Sequence, residues 1–336
     1  MQFGKIAWAA CWTALCLPAM SHAGEQASFD CTKATTVVEK AICADPALGA
    51  ADRALAEAYQ AASARLSDEG RSGLRDEQRQ WLKRLWQVCG EATPAGGCVA
   101  NEYRMRQKGL QTVAASYGSV TIRRAQIFDM LKASNTDEGT EGRIGMAPRY
   151  PGYAIRDIDY PQIDNPRTNA DRLFNAAMKS LAIKGDDNEE DGADLTSGFE
   201  VVSVSPFMIA IRFEDTTYGH GSAHPWPQSF MFNWVVTEGR KLKPEDVFAE
   251  GPGWRKLLAD RCFAGLPEDH DQNITTADEM QNKAVEPDRW QFGKDGLTIH
   301  FDVYEVGPYT AGMSDILIPW ADLKPYLTPA GAALAR

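Results

Sequence analysis

After its first two dozen residues the chain has no long apolar run. Nowhere beyond residue 23 do roughly 18 consecutive apolar residues occur, the length a membrane helix needs, so no spanning helix is expected there. Positive charge is also scarce: 35 Lys and Arg stand against 46 Asp and Glu, a net of −11. Such a surface repels nucleic acid and anionic lipid and steers cationic partners towards it. The shortage is local, since residues 24–118 hold 12 basic and 12 acidic residues while residues 119–336 hold 22 and 34. Several chemical signatures are missing as well. No Gly-x-Ser-x-Gly elbow is present. His220 and His224 have zinc-like helical spacing, but Gly219, Gly221 and Pro225 work against a helix there, and no adjacent Glu or Cys completes a ligand set. In the acidic run 185–194, Asp187, Glu189, Asp191 and Gly192 fit an EF-hand loop, yet its closing position is Gly198 and lacks the required carboxylate. A solvated loop is expected there, and neither metal nor cofactor.

What is present begins with an apparent leader. Lys5, the apolar stretch 6–20 and Ser21-His22-Ala23 form a signal peptide pattern with a cleavage site after residue 23, which places the mature chain in the periplasm or outside the cell. In an oxidising compartment Cys31, Cys43, Cys89 and Cys98 are expected to form two disulfides. Three pairings are open, and the short GEATPAGG loop between two helical runs favours Cys89 with Cys98. Cys262, beside Leu257, Leu258 and Phe263, is expected to be a buried, inert thiol.

From Thr35 to Val113 apolar residues recur at spacings of three and four: Leu48, Ala51, Leu55, Tyr59, Ala62 and Leu66, then Leu74, Trp81, Leu85 and Val88. This predicts a small bundle of three or four helices stapled by disulfides. Residues 119–148 show no clean period and are expected to be a linker. The remainder, 149–336, alternates strand-like runs with helical stretches, which predicts an α+β domain with an antiparallel sheet and packed helices. The fold class is therefore two domains, an all-α bundle over 24–118 and an α+β unit over 149–336.

One stretch of the second domain invites function. Phe199–Phe213 and Ser229–Val236 read as strands, and between them Gly219, Gly221, Pro225 and Pro227 punctuate a His-bearing loop. Ser222 beside two histidines suggests a hydrolase, but no orienting carboxylate is marked in the sequence, so no enzyme is expected. Trp226 and Trp234 are expected to be core or rim of the sheet.

Two resemblances carry the reading further. FDCTKATTVVEKAICADPALGAADRALAEAY, RDEQRQWLKRLWQVCG and CVANEYRMRQKGL resemble the lysozyme-inhibitor LprI-like N-terminal domain over about residues 29–110, where the four cysteines, Asp52, Tyr59, Gln78, Trp81 and Tyr103 fit the family pattern. GHGSAHPWPQSFMFNWVVTEGRKLKPEDVF and LTIHFDVYEVGPYTAGMSDILIPWADLKPYL are similar to the domain of the anti-sigma factor RsiV, also an accessory module of some peptidoglycan deacetylases, over about residues 150–328. Gly221, Ala223 and His224 fall on that family's G-A-H, with Ser222 inserted and His220 added. The RsiV domain binds lysozyme, so the resemblance implies a protein-binding module. The expected partner is a lysozyme-type muramidase, with peptidoglycan as the alternative. The expected contact is the loop of Tyr218, Gly219, His220, Gly221, Ser222 and His224, entering a muramidase cleft and hydrogen-bonding its two carboxyl groups.

Overall fold

The computed structural model describes residues 27–132, 149–184, 192–251, 253–266 and 275–335. The expected leader, most of the acidic run 185–194 and the second half of the expected linker lie outside these residues.

Four helices open the chain: α1 (Val37–Ala44), α2 (Pro46–Ala64), α3 (Asp68–Glu91) and α4 (Ala95–Gln111). Their starts are written in the sequence. Thr36 and Glu39 form a reciprocal capping box on α1, Asp45 caps α2 ahead of Pro46, and Ser67 caps α3. The apolar stripes meet in one core of Leu48, Leu55, Leu74, Trp81, Leu85 and Val99, among others. Cys31 is bonded to Cys43 and Cys89 to Cys98, so the pairing favoured by the short loop is the one found.

Next come β1 (Ala114–Tyr117), β2 (Val120–Lys132), β3 (Tyr153–Ile163), α5 (Asn169–Lys184), β4 (Ala193–Val204), β5 (Met208–Gly219), β6 (Trp226–Val235) and β7 (Arg240–Lys241). These strands form one seven-stranded sheet in chain order. Every pairing is antiparallel except β3 with β4, where α5 supplies the crossover that a parallel pair requires. Then follow α6 (Pro244–Val247), α7 (Gly253–Ala264), α8 (Ala277–Lys283) and a second sheet of β8 (Trp290–Phe292), β9 (Gly296–Phe301) and β10 (Ser314–Pro319), ordered β10-β9-β8.

The large sheet is covered on both faces. Ile209, Ile211, Phe213, Phe232 and Trp234 pack with Phe174 and Met178 of α5. Met208, Ala210, Met231 and Val235 pack with Trp254, Leu258 and Cys262 of α7 and with Trp290, Ile299 and Ile318 of the small sheet. Cys262 is a free, fully buried thiol.

The expected linker needs correction. Residues 119–148 open with β2, a 13-residue strand next to the edge of the large sheet. Its period is hidden because charged side chains line it on account of ion pairs. Arg123 bonds Glu77 of α3 at 2.7 Å, and Arg124 bonds Asp159 of β3 at 2.5 Å. The bundle core also continues into Val113, Ala114, Tyr150 and Ile155, so helices and sheet share apolar contacts.

Candidate functional site

The β5–β6 hairpin is paired as far as Thr217 with Trp226, and the chain between them forms the loop singled out above. Its turn is tight: Ser222 N–H donates to Gly219 O at 2.9 Å, and Tyr218 Oη donates to Ser222 O at 3.3 Å. Gly221 sits at φ 82°, where a Cβ would be strained.

Both histidines are engaged inside the molecule. His220 Nε2 lies 3.0 Å from Asp194 Oδ1 at the start of β4, while its N–H donates to Gly192 O at 2.7 Å. Asp194 is buried and also accepts from Ile155 N–H of β3, so this carboxylate straps the loop to the sheet. His224 stacks on Tyr309, ring centroids 4.0 Å apart, and its Nδ1 is 3.0 Å from Pro225 O, which also accepts from Tyr309 Oη at 3.2 Å. Among the described residues neither imidazole is bonded to Ser222 Oγ. Tyr218 is buried, whereas Ser222 and Ala223 are exposed and form the tip. Tyr218 and Gly219 thus close β5, still paired with Asp194 and Ala193 of β4, and His220 to His224 form the turn beyond them, with the histidines as its struts and the serine at its summit.

The structure places Trp226 at the exposed start of β6, on the rim where it was expected, and sets beside it Tyr304 and Tyr309, which sequence pattern did not single out. Trp226 stacks on Tyr304 at 5.0 Å, and Tyr304 lies 5.6 Å from Tyr309. Trp226 and Tyr304 are 42 % and 39 % exposed, large rings left open to solvent beside the loop. Trp234 belongs to the core. The tyrosines come from the segment joining β9 to β10, which wraps over the hairpin end. Their signal in the sequence was the YEVGPY motif, whose spatial meeting with Trp226 no local pattern reveals.

A cleft of about 370 Å³ opens between the β5–β6 hairpin and the small sheet. On its wall His300 is held between Asp302, 3.2 Å from Nε2, and Asp315, 2.7 Å from Nδ1. Burial alone would lower the imidazole pKa, but these two carboxylates carry it up to about 9. On Asp215 burial acts in the other direction. Burial pushes its carboxyl above the usual range, reinforced by Asp302 and opposed by the hydrogen bond from Ser197 Oγ at 2.5 Å.

With this geometry established, comparison with known proteins divides the chain. Residues 30–134 match the family model described as lysozyme inhibitor LprI. The match includes both disulfides and runs through β2. Residues 245–321 match a protein family of unknown function, DUF3298, which takes in α6 to β10 and the two tyrosines but not the His220 loop. None of the curated proteins compared matches the sequence. Among solved structures, the chain is similar to a DUF3298 family member from Bacteroides fragilis, with 14 % identity, TM-score 0.44, and coverage of 65 % of this chain and 97 % of that one. It is similar also to a DUF3298 family protein from Pseudomonas aeruginosa, with 12 % identity, TM-score 0.41, and coverage of 62 % and 95 %. Among the described residues no helix is long and apolar enough to cross a membrane, and no three metal-binding side chains cluster.

Proposed function

We propose that this chain is a periplasmic or secreted binding protein, without catalytic activity of its own, that recognises and inhibits a lysozyme-type muramidase. The observation that carries the reading is the match of residues 30–134 to a lysozyme inhibitor family. Two disulfides suit an extracytoplasmic setting. The acidic excess confined to residues 119–336 favours a cationic partner by steering its approach.

The proposed contact is the 218–224 loop, with the RsiV-like domain as its frame. Internal anchoring of His220 and His224 lowers the entropy lost on binding and leaves Ser222 and Ala223 to enter a partner's cleft. The experiment is a lytic assay of c-type, g-type and i-type lysozymes with the purified mature chain, alongside calorimetric titration at two salt concentrations. Inhibition of one class with salt-sensitive affinity is expected. Ser222→Arg, on an exposed tip, should weaken that affinity without lowering the unfolding midpoint, and replacing both histidines by alanine should weaken it further. Absence of binding to all three classes would end the muramidase reading. Unchanged affinity in all these variants would move the contact away from the loop.

A further inference from the structure

We propose that the cleft between the β5–β6 hairpin and the small sheet, with the Trp226–Tyr304 pair beside it, is a binding site for a carbohydrate chain. The inference is independent of the muramidase reading, and it rests on what the cleft offers a ligand. Ligand pockets are ordinarily apolar with a few placed polar groups. Here ten of the fourteen lining residues carry hydrogen-bonding side chains, among them Arg212, Gln228, Ser229, Gln291, Thr298 and His300. Arg212 and His300 are already paired with Glu200 and with Asp302 and Asp315, but an apolar ligand would leave the side chains of Gln228, Ser229 and Thr298 without partners at a cost for each, whereas a polyhydroxylated ligand satisfies them. A ligand of one charge sign fits poorly, because Glu214, Asp215 and Asp315 share the lining with Arg212 and His300. Planar amides and a guanidinium are suited to paired hydrogen bonds with adjacent hydroxyls, which accept and donate at once.

The aromatic pair supplies the complementary half. A pyranose ring has an apolar face of C–H groups, and exposed stacked rings offer a flat apolar surface to match it. Trp226 directly precedes Pro227 of the cleft lining, and Tyr304 follows Asp302, which accepts from Ser229 N–H at 2.8 Å and contacts His300. Met313, exposed and part of the lining, belongs to the same β9–β10 connection as Tyr304. Tyr304 is held at φ 65°, an unfavourable setting for a side chain other than glycine, and such strain gathers at binding sites.

The test titrates the full mature chain by calorimetry with chitotetraose, cellotetraose and maltotetraose, so that amino-sugar chains are distinguished from neutral glucans. Saturable binding of at least one is expected. Trp226→Ala and Thr298→Trp, which fills the cleft, should abolish it, and Gln291→Ala should weaken it about tenfold. Gln291→Ala and Trp226→Ala alter partly or largely exposed side chains, so retained unfolding midpoints in these two keep the test valid should Thr298→Trp fold poorly. Failure of all three sugars to bind the unaltered chain, or equal affinity in every folded variant, would overturn the proposal.

Discussion

At the scale of single residues, the fold leaves least room at Gly296. It opens β9 opposite Pro319, and a Cβ there would lie against the Ile318 backbone, 2.8 Å from its carbonyl carbon. No side-chain rotamer relieves a clash with backbone. Gly296→Ala should therefore cost roughly 2–4 kcal/mol through displacement of β10, measured by urea unfolding. His300 makes a prediction with a sign. Its folded pKa lies above the unfolded value, so its contribution is complete below about pH 6.5 and is lost as pH rises through about 9. The stability gap between the unaltered chain and His300→Gln should be about 1–2 kcal/mol in mild acid, discounted because Asp315 is largely exposed, and should close above about pH 9. Thermal unfolding across that range reads it directly. That a turn joins two paired strands between Gly219 and Trp226 was legible from Gly and Pro punctuation. Asp194, Tyr304 and Tyr309 were not, because each reaches the loop from a distant segment, and sequence carries no local mark of a partner 26 or 80 residues away.

At the scale of elements, helices announced themselves because each has an apolar stripe and a side-chain cap, while β2 did not. A strand covered by a helical layer is expected to be apolar, but β2 and β3 meet the bundle through charge as well as through Ile155, Phe128 and Met130. Arg84 of α3 pairs with Glu102 of α4 at 3.4 Å and with Asp157 of β3, and Arg149 pairs with the same Glu102 and Asp157 at 2.7 and 2.6 Å. Tyr150 donates to Glu102, which is fully buried. Removing one member leaves buried charge uncompensated, so Glu102→Ala should cost about 3–5 kcal/mol in urea unfolding. Ser67, the cap of α3, is tied to Asp164 beyond β3 at 2.6 and 2.8 Å, a second joint between the same layers. Such joints explain why the boundary drawn at 118 from periodicity meets a core that runs past it.

At the scale of the whole molecule, the two-part plan was readable because composition changes with it: neutral charge and cysteines in the first part, acidic excess and alternating strands in the second. The closeness of the parts was not readable, since contacts between distant segments leave no periodic trace. Charge asymmetry predicts that a cationic partner's association rate falls steeply with added salt while its dissociation rate changes less, which stopped-flow mixing at several ionic strengths would test. Cys262 provides a different handle on the same plan. Its thiol is fully enclosed between α7 and both sheets, and burial raises its pKa to about 12, so an alkylating reagent can meet a thiolate only after that core has opened. The four other cysteines of the described residues are spent in disulfides of the helical part. Labelling of this one sulfur is consequently a clock for the opening of the second part alone, and comparing its rate with global unfolding would show whether the two halves come apart together or in turn.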